Sequence, residues 1–188
     1  RKALAIICLG VFGALSVWFC GSAVLAPLAA EWGFSKTEGS FLTSIVNVGF
    51  CTGCLISVVL SLSDYVQPPL LILVGSIGAG AANACVLAAS GLNDALALRF
   101  VVGFCLSLVY PPGVKLLSTW FPSEQRAMSI GVMFSAFCLG SAFPNLLRGA
   151  VVNQSWKLVV LLTSLIAALG GILVFLLVPV GPLPFPAS

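Results

Sequence analysis

Residues 99–126 read R-F-V-V-G-F-C-L-S-L-V-Y-P-P-G-V-K-L-L-S-T-W-F-P-S-E-Q-R. An arginine stands near the start of an otherwise apolar segment, Pro111-Pro112-Gly113 breaks it about halfway, and Trp120-Phe121-Pro122 ends it. A soluble helix has no use for this order. In a bilayer each part has a physical meaning. Pro111 and Pro112 cannot donate backbone hydrogen bonds, so the carbonyls of Ser107 and Leu108 lose their helical partners and the helix is expected to bend. Freed backbone groups are tolerated in a membrane only against protein or a water-filled cavity, so this face is expected to line something. Arg99 must pair, snorkel or face a cavity, which makes it a structural hydrogen-bond hub or part of a coupling network. Lys115 is expected to snorkel to the opposite interface beside Trp120.

Composition sets the same frame. The 188 residues are 60% hydrophobic and only 7% charged, with mean hydropathy +1.18, whereas soluble domains carry about 25% charged residues. The chain is therefore read as an all-α integral membrane protein. At roughly 20 apolar residues per crossing it holds about six spans with short loops. The 8 basic and 5 acidic residues are scattered singly, and nothing suggests a nucleic-acid surface. Seven cysteines fall mostly within apolar runs and read as small packing residues. Cys51-x-x-Cys54 lies mid-span, and without histidine no metal site or cofactor is expected. No paired carboxylates, Ser-x-x-Lys or phosphate-cradling loop appears at a plausible depth, so the chain is not read as an enzyme and has no catalytic residues.

The spans are expected at about residues 3–30, 36–62, 70–89, 94–119, 124–147 and 157–179. Span one carries Trp18, Phe19, Ser22 and Pro27, and ends at Glu31-Trp32-Gly33, with Gly33 suited to a helix C-cap. Ser35 and Glu38 fit a capping box at the start of span two. Asn47 is the one strongly polar residue inside that span, and Gly49-x-x-x-Gly53 permits a close helix neighbour. Pro68-Pro69 start span three, whose Gly75, Gly78, Gly80, Ala81 and Ala82 again mark close contacts. Asn93 or Asp94 is expected to cap span four, and Ser123 span five. Span five carries Gly131, Ser135, Gly140, Ser141 and Pro144. Arg148, Asn153, Gln154, Trp156 and Lys157 make the next polar turn. Span six has little polar content beyond Thr163 and Ser164 and reads as peripheral and lipid-facing. Residues 181–188 are proline-rich and read as the start of a linker or tail, so that residues 1–180 form one six-helix bundle. The chain begins at Arg1 without methionine, which suggests a missing native beginning, and its first apolar segment is too long for a cleavable signal.

With both ends inside, the inner side holds Arg1, Lys2, Lys115 and Arg126 and the outer side Lys36, Arg148 and Lys157. The positive-inside rule thus leans toward cytoplasmic termini, in a plasma, inner or organellar membrane.

Arg99-x-x-x-Gly103, Tyr110-Pro111, Trp120-Phe121-Pro122 and Arg126-Ala127 together resemble span four and the following loop of major facilitator superfamily transporters. Leu62-x-Asp64, Gly140-Ser141-Ala142-Phe143-Pro144 and Trp156 support the likeness, which covers nearly the whole chain and corresponds to the amino-terminal six-helix half. Within the family, residues 112–121 resemble the branch often labelled nitrate/nitrite transport. Members of that branch are similar in placing an arginine in span two and a glycine-rich run in span five; this span two has no basic residue within its apolar stretch and this span five only scattered glycines. The family's loop Gly-x-Leu-Ala-Asp-Arg-x-Gly-Arg-Arg survives here only as Leu62 and Asp64: Leu60, Tyr65, Gln67 and Pro68-Pro69 replace the first glycine, the arginine, the second glycine and the basic pair.

The resemblance implies secondary transport by alternating access, with a site near mid-membrane lined by spans one and four and with spans two and five rocking around it. Trp18, Ser22, Asn47, Ser107 and Tyr110 are the expected solute contacts, and Asp64, Arg99, Pro111, Pro112 and Arg126 the gating or structural residues. The solute would be a small organic molecule or an anion. Implied partners are the lipid bilayer and a second six-helix half, in the same chain or another copy. The competing reading is a non-transporting structural subunit bound to other membrane subunits, with a half-transporter acting as a dimer between the two.

Overall fold

The computed structural model describes residues 1–150 and 155–185, and among these it is helical throughout, without strands. Six helices, one of them bent, are long and apolar enough to cross a membrane, consistent with an all-α integral, multi-pass membrane protein. Asn153, Gln154 and Pro186 to Ser188 lie outside the described residues.

Helix α1 (Lys2–Ala23) continues after a break at Val24 as α2 (Leu25–Trp32), and together they form span one. Pro27 explains the break: it has no N–H to offer the carbonyl of Ala23. Gly33 ends α2 in the left-handed region at φ 70°, donating to Ala29 O. Ser35 opens α3 (Lys36–Val59, span two) with a complete capping box, its hydroxyl accepting from Glu38 N while Glu38 Oε2 accepts from Ser35 N at 2.8 Å. The short α4 (Leu62–Tyr65) follows. Helix α5 (Pro68–Cys85) has both prolines in its first turn and runs into a 3-10 turn, Val86–Ala88, to complete span three.

Span four divides where its prolines require. Helix α6 (Leu92–Leu106) ends before Ser107, the chain tightens through Leu108 N to Cys105 O and Val109 N to Leu106 O bonds, both 3.0 Å, and α7 (Tyr110–Ser118) resumes. Neither Asn93 nor Asp94 occupies the cap of α6. Gly91 does, and Asp94 Oδ2 instead accepts from Ser90 N at 3.0 Å. Ser123 is likewise not a cap but the first residue of α8 (Ser123–Ala150, span five), its hydroxyl donating to Glu124 Oε1 at 2.7 Å. Span six is α9 (Trp156–Leu177).

The spans pack in the order α8, α1, α9, α5, then α6 with α7, then α3. Span six is therefore not purely peripheral. Trp156, Val159, Val160, Thr163, Ser164, Ala167, Gly170, Gly171 and Val174 are buried against spans one and three, while Leu161, Leu165, Leu169, Leu173, Phe175, Leu176 and Leu177 are exposed on its other side and at its end. Thr163 and Ser164 looked incidental because their hydroxyls bond back into their own helix, to carbonyls of Val159 and Val160, as they do in any apolar span. Span two meets span four through Gly49 and Gly103, where a Cβ would strike Phe100 O and Val46 O respectively. The main core gathers Ile7, Val11, Leu15, Val17, Ile72, Leu106, Leu116 and Met133. Spans two and five close the row at either end, and each leaves a face uncovered: Phe41, Val48 and Leu55 on α3, Val132, Phe134 and Leu139 on α8.

Candidate functional site

Between those two end helices, against span one, lies a recess of about 510 Å³ lined by Trp18, Phe19 and Ser22 of α1, Thr43, Ser44 and Asn47 of α3, and Phe137 of α8. Trp18 and Ser22, like Thr43 and Asn47, are four residues apart and so share a helical face. Three of the five expected solute contacts meet here. Ser107 does not: it lines a separate recess of about 340 Å³ with Cys54, Ser57, Val58, Ser61, Ser63, Asp64 and Pro111, because the break after Leu106 turns it toward α3 and α4. Its hydroxyl bonds back to Phe104 O at 2.7 Å. Tyr110 stands behind the first recess, its ring edge-on to Phe137 at 5.8 Å. Phe19, Thr43, Ser44 and Phe137 are lining residues that sequence reasoning missed. The i, i+4 spacing of Thr43 to Asn47 was the available signal.

The hydroxyl of Ser22 donates to Phe19 O at 2.7 Å and that of Thr43 to Ser40 O at 2.8 Å. In this arrangement each hydroxyl keeps its lone pairs available to the recess as acceptors, and rotation of the hydroxyl would free its proton. The amide of Asn47 has no protein partner among the described residues.

Arg99 sits away from this recess, 2% exposed. Its Nη1 donates to Val17 O and to Asn83 Oδ1, both at 3.0 Å, and its Nη2 to Trp18 O. Gly21 leaves room for the guanidinium: a Cβ there would lie 2.8 Å from Nη2. Asn83 in turn donates to Ser164 Oγ at 3.0 Å and to Val160 O at 3.3 Å. The arginine is thus a hydrogen-bond hub joining spans one, three, four and six. Asn83 was invisible to sequence reasoning, lying in an alanine- and glycine-rich run sixteen positions from Arg99.

At the end of the bundle that holds Arg1 and Leu177, Lys115 does not simply snorkel. Its Nζ donates to Asp64 Oδ1 at 2.7 Å and to Ser63 O at 2.6 Å, and lies 5.0 Å from the Phe185 ring. Asp64, the survivor of the degenerate loop, thereby holds span four to the turn between spans two and three. Pro111 reaches the smaller recess while Pro112 is buried. Arg126 is half-buried at the start of α8, its Nε without a hydrogen-bond partner among the described residues. At the other end Trp156 Nε1 donates to Glu31 Oε2 at 2.7 Å, tying span six to span one. All seven cysteines are free, and no metal-type cluster occurs among the described residues.

Residues 6–188 match the family model of the Major Facilitator Superfamily. The chain belongs to that superfamily. Among curated members it is 30% identical over 173 residues to the putative niacin/nicotinamide transporter NiaP of Bacillus subtilis, covering 89% of this chain and 42% of that one. It is 24% identical over 170 residues to putative glycerol-3-phosphate transporter 2 of Arabidopsis thaliana, covering 86% and 34%. A gallate transporter of Pseudomonas putida is 25% identical over 144 residues, covering 76% and 32%. The chain thus spans about a third to two fifths of the length of these members of the superfamily. In fold it matches a bacterial homologue of the human lysosomal transporter Spinster, solved inward-facing and unoccupied, with TM-score 0.80 at 16% identity over all of this chain and 45% of that one.

Proposed function

We infer that this chain is one six-helix half of a secondary transporter that moves a small solute by alternating access. The observation that carries the reading is the recess of about 510 Å³ set between spans one, two and five, on the side where α3 and α8 lack a protein neighbour among the described residues. A second six-helix half, in the same chain or another copy, covers that side and closes the recess into a central site. The solved fold neighbour has room for such a half, since this chain accounts for 45% of it. Inverted repeats rocking around a midplane site are the general design of such proteins. The termini face the cytoplasm, on the charge balance of the loops.

The likeness of residues 112–121 to the nitrate/nitrite branch does not extend to the recess. No basic side chain lines it among the described residues, and both terminal nitrogens of the Arg99 guanidinium are committed to carbonyls and an amide. A buried monovalent anion needs a positive partner or several donors, so what this half presents suits a neutral small organic solute better than an inorganic anion. Glu31, Glu38, Asp64, Asp94 and Glu124 all lie in helix end turns or in the short α4. This half therefore carries no proton, and any coupling resides in the other half.

Uptake into liposomes reconstituted with the purified full-length protein tests the reading, with a radiolabelled panel of neutral, cationic and anionic organic solutes and nitrate. Saturable uptake of an organic solute is expected. A protein that moves none of them, and is recovered in fixed ratio with unrelated membrane subunits, would be a scaffold instead.

A further inference from the structure

The recess constrains its solute more tightly than its size does. Its walls are aromatic and backed by further rings. Trp18 lies against Phe50 with centroids 4.9 Å apart, and Phe137 is held between Phe134, stacked at 5.3 Å, and Tyr110 at 5.8 Å. A wall ring supported in this way cannot rotate freely to follow a flexible aliphatic solute, and it presents a fixed face for another flat group. Ring pairs gain more from this than the area they bury.

The polar groups opposite are equally selective. Ser22 and Thr43 bond back to Phe19 O and Ser40 O and in that arrangement offer acceptors, while the Ser44 hydroxyl can donate or accept. Asn47 offers an uncommitted donor and acceptor together. An N–H-bearing group meets this set with complementary hydrogen bonds, and a carboxamide can pair with Asn47 through both at once. A carboxylate, acceptor only, could draw on the Asn47 and Ser44 donors but would leave the acceptors of Ser22 and Thr43 unmatched, with no cation among the described lining residues to offset its charge.

We propose that the recess selects an uncharged planar aromatic ring bearing an amide or comparable N–H donor, with Trp18, Phe19 and Phe137 receiving the ring and Asn47, Ser22 and Thr43 reading the substituent. The proposal rests on the recess being the solute site of the transport reading. It adds which chemistry that site accepts.

Three near-isosteric probes separate its parts: benzamide, benzoate and cyclohexanecarboxamide, titrated calorimetrically into the purified full-length protein. Benzamide is expected to bind, with cyclohexanecarboxamide roughly tenfold weaker for want of ring stacking. Benzoate is expected to be weaker than benzamide for want of donors. Asn47→Leu should bring benzamide down to the level of benzoate, while Trp18→Phe, which keeps a ring, should bind better than Trp18→Leu. Phe137→Leu provides the same test on the opposite wall should Trp18 variants fold poorly. Equal affinity for the ring and its saturated isostere would overturn the aromatic requirement, and tighter binding of benzoate the requirement for neutrality. Failure of benzamide to bind a protein that transports another solute would overturn the proposal while leaving the transport reading in place. Benzamide bound by a protein that moves no solute of the panel into liposomes would leave the recess chemistry standing and sink the transport reading instead.

Discussion

Arg99 Nη1 donates to Asn83 Oδ1 at 3.0 Å across two spans, and both side chains are only 2% exposed. A guanidinium in this position has no carboxylate partner among the described residues; backbone carbonyls and one amide take its place. The amide then passes its own donors to span six, so one buried polar chain runs through four helices.

Removing either end of that pair should destabilise the bundle. Asn83→Ala deprives the cation of one acceptor and Ser164 of a donor, and a hydrogen bond to a charged group is worth about 1.5–3 kcal/mol. Arg99→Lys keeps the charge but not the planar fork that reaches Val17, Trp18 and Asn83 together, so it should cost a comparable amount. Both losses can be read from the unfolding midpoint in mixed detergent. A midpoint unchanged in Arg99→Lys would mean that charge alone, and not the fork, holds the four spans.

Two glycines should respond in opposite ways to alanine. At Gly103 a Cβ would meet Val46 O on span two, so Gly103→Ala must push α3 from α6, at a cost of about 1–3 kcal/mol for overpacking. At Gly131 a Cβ meets nothing within 4 Å and the residue is helical, so Gly131→Ala should be neutral or should stabilise by about 0.5–1 kcal/mol. The same unfolding measurement compares them. Equal effects would contradict the close approach of α3 and α6.

What could be read from the chain alone follows from the range of each interaction. Ser35 with Glu38, Gly33 and the proline break of span four are set by residues within four positions of one another, and the sequence displays them. Gly49 and Gly53 announce a close neighbour without saying that it is span four. Long-range polar partners were not legible. Lys115 and Asp64 are 51 positions apart, and each alone looks like an interfacial charge. Arg99 demanded a partner, yet nothing distinguishes Asn83 from other small-residue positions until the helices are docked. The candidate site divides in the same way. Trp18, Ser22 and Asn47 converge because regular helices carry them, whereas the backbone break placed Ser107 in the neighbouring recess.

The Lys115–Asp64 pair should matter more for conformation than for stability. Lys115 is 23% and Asp64 70% exposed by side chain, and ion pairs so accessible contribute about 0–1 kcal/mol. Asp64→Asn and Lys115→Met should therefore leave the unfolding midpoint within that range. If the pair latches span four to the loop after span two, both variants should increase thiol labelling of Cys54, which lines the adjoining recess, and the double variant should add nothing. Additive labelling would mean that the two residues act independently.

The segment after span six is strapped across the end of span four, and the strap has identifiable fastenings. Trp120 Nε1 donates to Pro179 O at 3.0 Å, Gly181 N to Thr119 Oγ1 at 2.8 Å, and Leu183 N to Thr119 O at 3.0 Å. Thr119→Val keeps the shape of the side chain and deletes one fastening, a change of about 0.5–1.5 kcal/mol by the usual net value of a hydrogen bond. It should raise amide exchange across residues 179–185 by up to about tenfold if the strap opens as a unit, while exchange in α9 stays as it was. Gly181→Ala should act more strongly, because its Cβ would fall on Thr119 O and displace the strap bodily. Faster exchange in both variants, graded in that order, is the expected result. An unchanged rate in Gly181→Ala would mean that the segment does not depend on its seat against Thr119.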